Sequence, residues 1–205
     1  DNLLISKDKA ELSATICKVD LISDLVGEFP ELQGIMGGYF ASSQGFDKEI
    51  SLAISEHYLP IGFESRVPKK LFSISLAVTD KIDSLVGFFG IGEKPTSSKD
   101  PYALRRSALG VVRLLIENNK EFKIKDLISY SISLYEEQGF KFSNGFVQKE
   151  LLDFLVDRLK FYMKNKNIRN DIIEASTNSY GIENITKTFH KALILNNIVN
   201  KQIGI

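Results

Sequence analysis

Two aspartates, Asp80 and Asp83, stand three positions apart in an otherwise apolar run from Lys69 to Phe89. At that spacing both carboxylates fall close to one face of a helix. Two ionised acids in a largely buried helix are costly unless they are paired, hydrogen-bonded or bound to a metal. With Asp20 and His57 as further ligands, they could build a metal-dependent phosphohydrolase of the His-Asp kind on a helical scaffold. The histidine inventory argues against this. The chain has 2 histidines, His57 and His190, and no adjacent His-Asp pair, whereas transition-metal sites of this kind draw on several imidazoles for affinity and geometry. Carboxylates paired with Lys18, Lys81 or an arginine are the expected arrangement, with no catalytic residue and no metal.

A second cluster carries the opposite charge. Asp100-Pro101 reads as an N-cap and first helical turn, which puts Arg105 and Arg106 near a helix N-terminus. The macrodipole disfavours cations there by some tenths of a kcal/mol, which suggests a partner. Arg106, Gly110 and Arg113 share a helical face, and guanidinium groups offer forked donors for phosphate oxygens. The plainer reading pairs these arginines with Asp80, Asp83, Glu93 or Asp100 to hold a loop on the core. Gly34-x-x-Gly37-Gly38 is weak as a phosphate loop, because no Lys-Ser/Thr follows and no strand precedes it. Close packing of helices is its expected role. The run from Arg158 to Arg169, interleaved with Phe161 and Tyr162, fits either a nucleic-acid backbone or a solvated helix face.

The elements that position these residues read as helices throughout. Apolar residues recur at helical spacing and no segment alternates as a strand, so the fold class is all-α. Helices are expected at about Asp8 to Val26, Phe46 to Tyr58, Lys69 to Phe89, Pro101 to Asn118, Ile124 to Gln138, Asn144 to Asn165, Arg169 to Ser176 and Ile182 to Asn200. Pro30 opens a shorter one in between. The run from Lys69 to Phe89 is apolar nearly all round, as a central helix must be.

Bulk properties bound the rest. With 205 residues, 43% hydrophobic and 25% charged, the chain suits a soluble globular protein, and no apolar run approaches the length of a membrane span. A single Cys17, read as inert packing, and the absence of a leader pattern at the start point to a reducing cytoplasm. The chain begins Asp1-Asn2 and enters a helical pattern at once, as expected of a piece of a larger protein. Lys+Arg and Asp+Glu are both 26, but the charges segregate. From Asp20 to Glu56 seven acids face Lys48 alone, a net of 1 − 7 = −6; from Glu93 to Lys125 eight cations face four acids, 8 − 4 = +4. Arg158 to Asn170 adds five cations and no acid. The second half is therefore the anion-facing side.

Six blocks carry a specific resemblance. They are Lys18-Val-Asp-Leu21, Val26-Gly-Glu-Phe-Pro-Glu-Leu-Gln-Gly-Ile-Met-Gly37, Glu56-His-Tyr-Leu-Pro60, Asp80-Lys-Ile-Asp-Ser-Leu-Val-Gly-Phe-Phe89, Lys99-Asp-Pro-Tyr-Ala-Leu-Arg-Arg106 and Ala108-Leu-Gly-Val-Val-Arg113. In order and spacing this set resembles the central part of the beta subunit of the bacterial heterotetrameric glycyl-tRNA synthetase. The resemblance implies a degenerate His-Asp-type helical core at residues 1–118 and a helical extension at 119–205, leading towards an anticodon-binding domain that is not included. It also implies a non-catalytic module that helps to bind and position tRNA(Gly) for glycylation, or else a scaffold docking the alpha subunit and the remaining beta-subunit domains. ATP is used by the whole enzyme, with no cofactor in this piece. Lys94, Lys99, Arg105, Arg106 and Arg113 are the expected RNA contacts. Gly38, Ile61 and Ser97 depart from the family's usual residues, and if Gly38 and Ile61 replace phosphate-contacting groups the burden shifts to those five cations.

Overall fold

A computed structural model describes residues 5–96, 98–142, 144–178 and 184–203, and all regular structure among them is helical. Ser97 and the expected start of the last helix at Ile182 lie outside the described residues. The α-helices are α1 (Lys7–Ile16), α2 (Asp24–Glu28), α3 (Ile35–Ser43), α4 (Lys48–Glu56), α5 (Leu71–Gly90), α6 (Leu104–Glu117), α7 (Ile124–Glu137), α8 (Asn144–Asn165), α9 (Asn170–Asn178) and α10 (Ile185–Ile203). Among the described residues, no helix is long and apolar enough to cross a membrane. The chain forms two compact units, Asp1–Asp80 and Lys81–Ile205, divided within α5. The expected boundary after residue 118 falls in the turn between α6 and α7.

In the first unit, the single helix expected over Asp8 to Val26 is three pieces: α1, a 3₁₀ turn at Val19–Ile22, and α2. The helix breaks because Ser23 adopts extended backbone, ψ 139°, and its Oγ accepts the Val26 amide at 3.3 Å. Ser23-Asp24 is a start signal that the apolar period overruns. Phe29 leaves helical geometry ahead of Pro30, which opens the 3₁₀ turn Pro30–Leu32. Asp47 caps α4, its carboxylate accepting the Glu49 amide at 2.8 Å. The core beneath joins Cys17, Ala41, Ile50, Ala53, Ile54, Phe72 and Leu76, all buried.

In the second unit α6 packs against α8 and α10, and α8 against α7 and α9. The stripe Val147, Leu151, Leu155, Leu159 and Tyr162, spaced for one helical face, is buried along its whole length. Each fully buried leucine contributes on the order of 2 kcal/mol. α5 ends in a paired-bond stop: the Glu93 amide donates to Phe88 O at 2.9 Å and the Gly92 amide to Phe89 O at 3.1 Å. That stop needs a left-handed residue, and Gly92 supplies it at φ 82°.

Candidate nucleic-acid interface

The partners of the acidic candidates decide what chemistry they can do. Asp20 is 1% exposed. Its Oδ2 accepts the Gly34 amide at 2.6 Å and the Gly37 amide at 3.1 Å, so it caps the N-terminus of α3 from a distant turn. Oδ1 is buried with no hydrogen-bond partner among the described residues. A small cavity alongside is lined by Ile16, Val19, Phe40, Ala41, Phe46 and Ile54, with Asp20 the one ionisable side chain on its wall among the described residues. Such a wall offers a cation no second charged ligand.

Asp80 is held by Lys18, whose Nζ lies 2.5 Å from Asp80 Oδ1 and 4.8 Å from the centre of the Tyr58 ring. Burial alone would lower the Lys18 ammonium, but the charge and hydrogen bond of Asp80 outweigh it and hold it above its ordinary value. Pairing of Asp80 with Lys18, expected from the sequence, is the arrangement found, while Asp83 is exposed. His57 is fully buried, and its Nδ1 carries a proton to Ile54 O at 2.6 Å. Cys17 is buried, and that burial pushes its thiol up. Among the described residues no three His, Cys, Asp or Glu side chains are grouped to hold a metal ion.

The glycine corner is a packing device. A Cβ on Gly38 would stand 2.6 Å from Ser55 Cβ and 2.8 Å from Ser51 O; one on Gly37 would stand 2.9 Å from Ile54 Cγ2. α3 therefore meets α4 closely at Gly37 and Gly38, and any side chain at position 38 would have to displace Ser55 or the α4 backbone. Gly34 has φ 79° and its missing Cβ leaves room for the Tyr58 ring.

The five basic candidates divide. Asp100 accepts the Leu104 amide at 2.8 Å and the Arg105 amide at 3.1 Å, capping α6 although the helix begins later than the Pro101 expected from sequence. The loop before it is drawn tight, with the Thr96 amide donating to Lys99 O at 2.9 Å and Arg105 Nη2 donating to Thr96 O. Lys99 and Arg106 are exposed beside this anchored turn. Lys94 is half-buried, pairs with Glu150 and covers the Phe146 ring at 4.8 Å.

Arg113 has a different place. It is 6% exposed and forks onto Glu117, Nε to Oε1 at 2.7 Å and Nη2 to Oε2 at 3.3 Å. The signal was present: Glu117 lies four residues on, and Leu109, Val112 and Ile116 surround the position with apolar residues. Of the other basic run, Lys160 pairs with Glu174 at 2.7 Å and Arg169 with Asp171 at 2.7 Å. Arg158 lies 5.7 Å from the Phe154 ring and 5.8 Å from the Phe161 ring.

Tyr102 stands on the same turn as Lys99 and Asp100. Its ring stacks on Phe88, 4.1 Å between centres and 19° between planes, and the residue remains 45% exposed.

Comparison with known proteins places these residues in a family. A family model described as "Glycyl-tRNA synthetase beta subunit" matches residues 2–178. A protein of Rickettsia canadensis (strain McKiel) named "Glycine--tRNA ligase beta subunit" is 50% identical over 155 residues, 75% of this chain and 22% of the relative. Proteins of the same name from Ruegeria sp. (strain TM1040) and Phenylobacterium zucineum (strain HLK1) are 40% and 44% identical, covering 96% and 83% of this chain. The chain spans 27% and 23% of those two relatives.

Proposed function

The chain belongs to the glycyl-tRNA synthetase beta subunit family, and from that premise we propose that it is a non-catalytic helical module that helps to bind tRNA(Gly) and position it for glycylation. The observation that carries this reading is the anchored basic turn: Lys99 and Arg106 exposed, Arg105 fixed by Thr96, and Asp100 capping the helix that presents them. Phosphate oxygens are the ligand such cations fit, and RNA is held largely through phosphates and shape. Lys94 joins them where its ion pair with Glu150 opens; Arg113 positions α6 from inside. No residue of this chain acts on glycine or ATP in this reading. The ATP-dependent ligation belongs to the assembled cytoplasmic enzyme, in which the alpha subunit and the remaining beta-subunit domains are partners.

Binding to tRNA(Gly) measured across salt concentration tests the proposal. The expected result is affinity that falls linearly on logarithmic axes as salt rises, with a slope reduced by the substitution Arg106→Glu. A flat response, or no binding even at low salt, removes the RNA role.

A second reading is favoured by a separate observation. Leu21, Ile22, Phe29, Ile35 and Tyr39 are exposed along the acidic stretch, with Asp24, Glu28 and Glu31 beside them. That surface repels phosphate and suits a protein contact, to the alpha subunit or to other beta-subunit domains. In the assembled enzyme, Arg106→Glu separates the two readings. Charging lost with assembly intact supports RNA binding; assembly lost supports the scaffold.

A further inference from the structure

An exposed aromatic ring on a polar turn has a cost, and Tyr102 carries it in a particular geometry. One face of its ring is covered by Phe88 at 4.1 Å and 19°, and the residue remains 45% exposed. The turn that carries it is held on both sides. Thr96 and Lys99 close the loop before it, and Asp100 takes the Leu104 and Arg105 amides after it. Lys99 precedes the ring by three residues and Arg106 follows it by four, both exposed.

We propose that Tyr102 is a stacking platform for one unpaired base, the nucleotide's flanking phosphates resting on Lys99 and Arg106. This rests on the RNA reading above and narrows its ligand to unpaired nucleotides, in a loop or at a single-stranded end. The chemistry discriminates between RNA forms. Bases within a duplex are stacked on one another and offer no free face, whereas an unpaired base can lie on an aromatic ring. A ring already fixed by Phe88 loses little conformational freedom when the base arrives, so more of the stacking energy appears as affinity. Stacking tolerates any base, so the platform reads single-strandedness rather than sequence.

The chain contains no tryptophan, so Tyr102→Trp places a unique fluorophore at the platform. The experiment titrates the full chain and its Tyr102→Trp, Tyr102→Ala and Tyr102→Phe variants with oligoadenylate and with an RNA duplex of matched length. Tryptophan emission and fluorescence anisotropy are read together. The platform predicts quenching of the tryptophan by oligoadenylate but not by duplex. It also predicts about tenfold weaker oligoadenylate binding for Tyr102→Ala and a change within about twofold for Tyr102→Phe. Salt-dependent RNA binding by the unsubstituted chain with no quenching in Tyr102→Trp and no loss in Tyr102→Ala overturns the platform and leaves the RNA reading standing. Absence of any RNA binding by the unsubstituted chain at low salt overturns both. If Tyr102→Ala fails to fold, the tryptophan signal decides alone.

Discussion

Asp20 Oδ2 accepts the Gly34 amide at 2.6 Å across fourteen residues of chain, and through that bond a carboxylate buried in one turn becomes the cap of another helix. The same oxygen holds the Gly37 amide at 3.1 Å. Asp20→Ala strands two amides at the start of α3 and is expected to destabilise the chain by about 2–4 kcal/mol, more than a surface cap, because both donors are buried. Asp20→Asn keeps one acceptor oxygen and should recover part of that loss. Denaturant unfolding of the two variants checks this; an alanine variant as stable as the parent would show that the cap is dispensable.

Glycines in the same block should respond in opposite senses. Gly38→Ala drives a Cβ to 2.8 Å from the Ser51 carbonyl oxygen, backbone that cannot rotate away, and is expected to cost about 1–3 kcal/mol or more. At Gly27, in α2, a Cβ would meet nothing within 4 Å and φ is not positive. Gly27→Ala should be neutral or stabilising by about 0.5–1 kcal/mol, chiefly by restricting the unfolded chain. Thermal midpoints of the pair read the contrast directly.

What the sequence made legible was local and periodic. Helical spacing identified every long helix, with α8 matched at both ends, and Gly34 to Gly38 announced close packing because small residues recur on one face. The break after α1 was hidden, because Leu12, Ile16, Val19 and Leu25 keep a helical period across a non-helical turn. Asp20 capping α3 had no signature either: the partners lie 14 and 17 residues away, and nothing short-range marks a carboxylate that turns inward. The burial of Arg113 was hidden for the opposite reason. A face shared by Arg106, Gly110 and Arg113 is a correct helical inference, yet that face runs from exposed at Arg106 to buried at Gly110 and Arg113, and burial is a tertiary property.

Alkaline pH should loosen the protein through protons held more tightly when folded, among them those of Tyr135, Tyr162 and Lys18. Burial, then the Asp83 charge, raises the Tyr135 hydroxyl from 10.0 to about 12. Burial, then Glu117, does the same for Tyr162. Lys18, desolvated but won over by Asp80, also lies above its ordinary 10.5. For each group the folded value exceeds the unfolded one, so its contribution is complete below the unfolded value and disappears as pH rises through the folded value. For the tyrosines that window runs from pH 10 to about 12. Unfolding midpoints should fall across it, and less steeply in Tyr135→Phe and Tyr162→Phe. Tyrosinate absorbance followed against pH identifies the late-titrating hydroxyls; titration of all seven tyrosines near 10.0 would contradict the assignment.

Arg106 and Arg113, seven residues apart on α6, should separate binding from stability. Arg106 is exposed; Arg113 is 6% exposed and forked onto Glu117. If Arg106 neutralises one phosphate, Arg106→Gln lowers the slope of log affinity against log salt by about 1 and leaves stability within about 0.5 kcal/mol. Arg113→Gln removes one partner of a largely buried charge pair and leaves the Glu117 carboxylate without its fork, a loss on the order of 2–4 kcal/mol. At temperatures where that variant remains folded its salt slope should equal the parent's. Unfolding curves and salt titrations with tRNA(Gly), run on the same preparations, read both quantities. A reduced slope with full stability in Arg113→Gln would mean that the side chain leaves Glu117 for the RNA, and would return Arg113 to the interface.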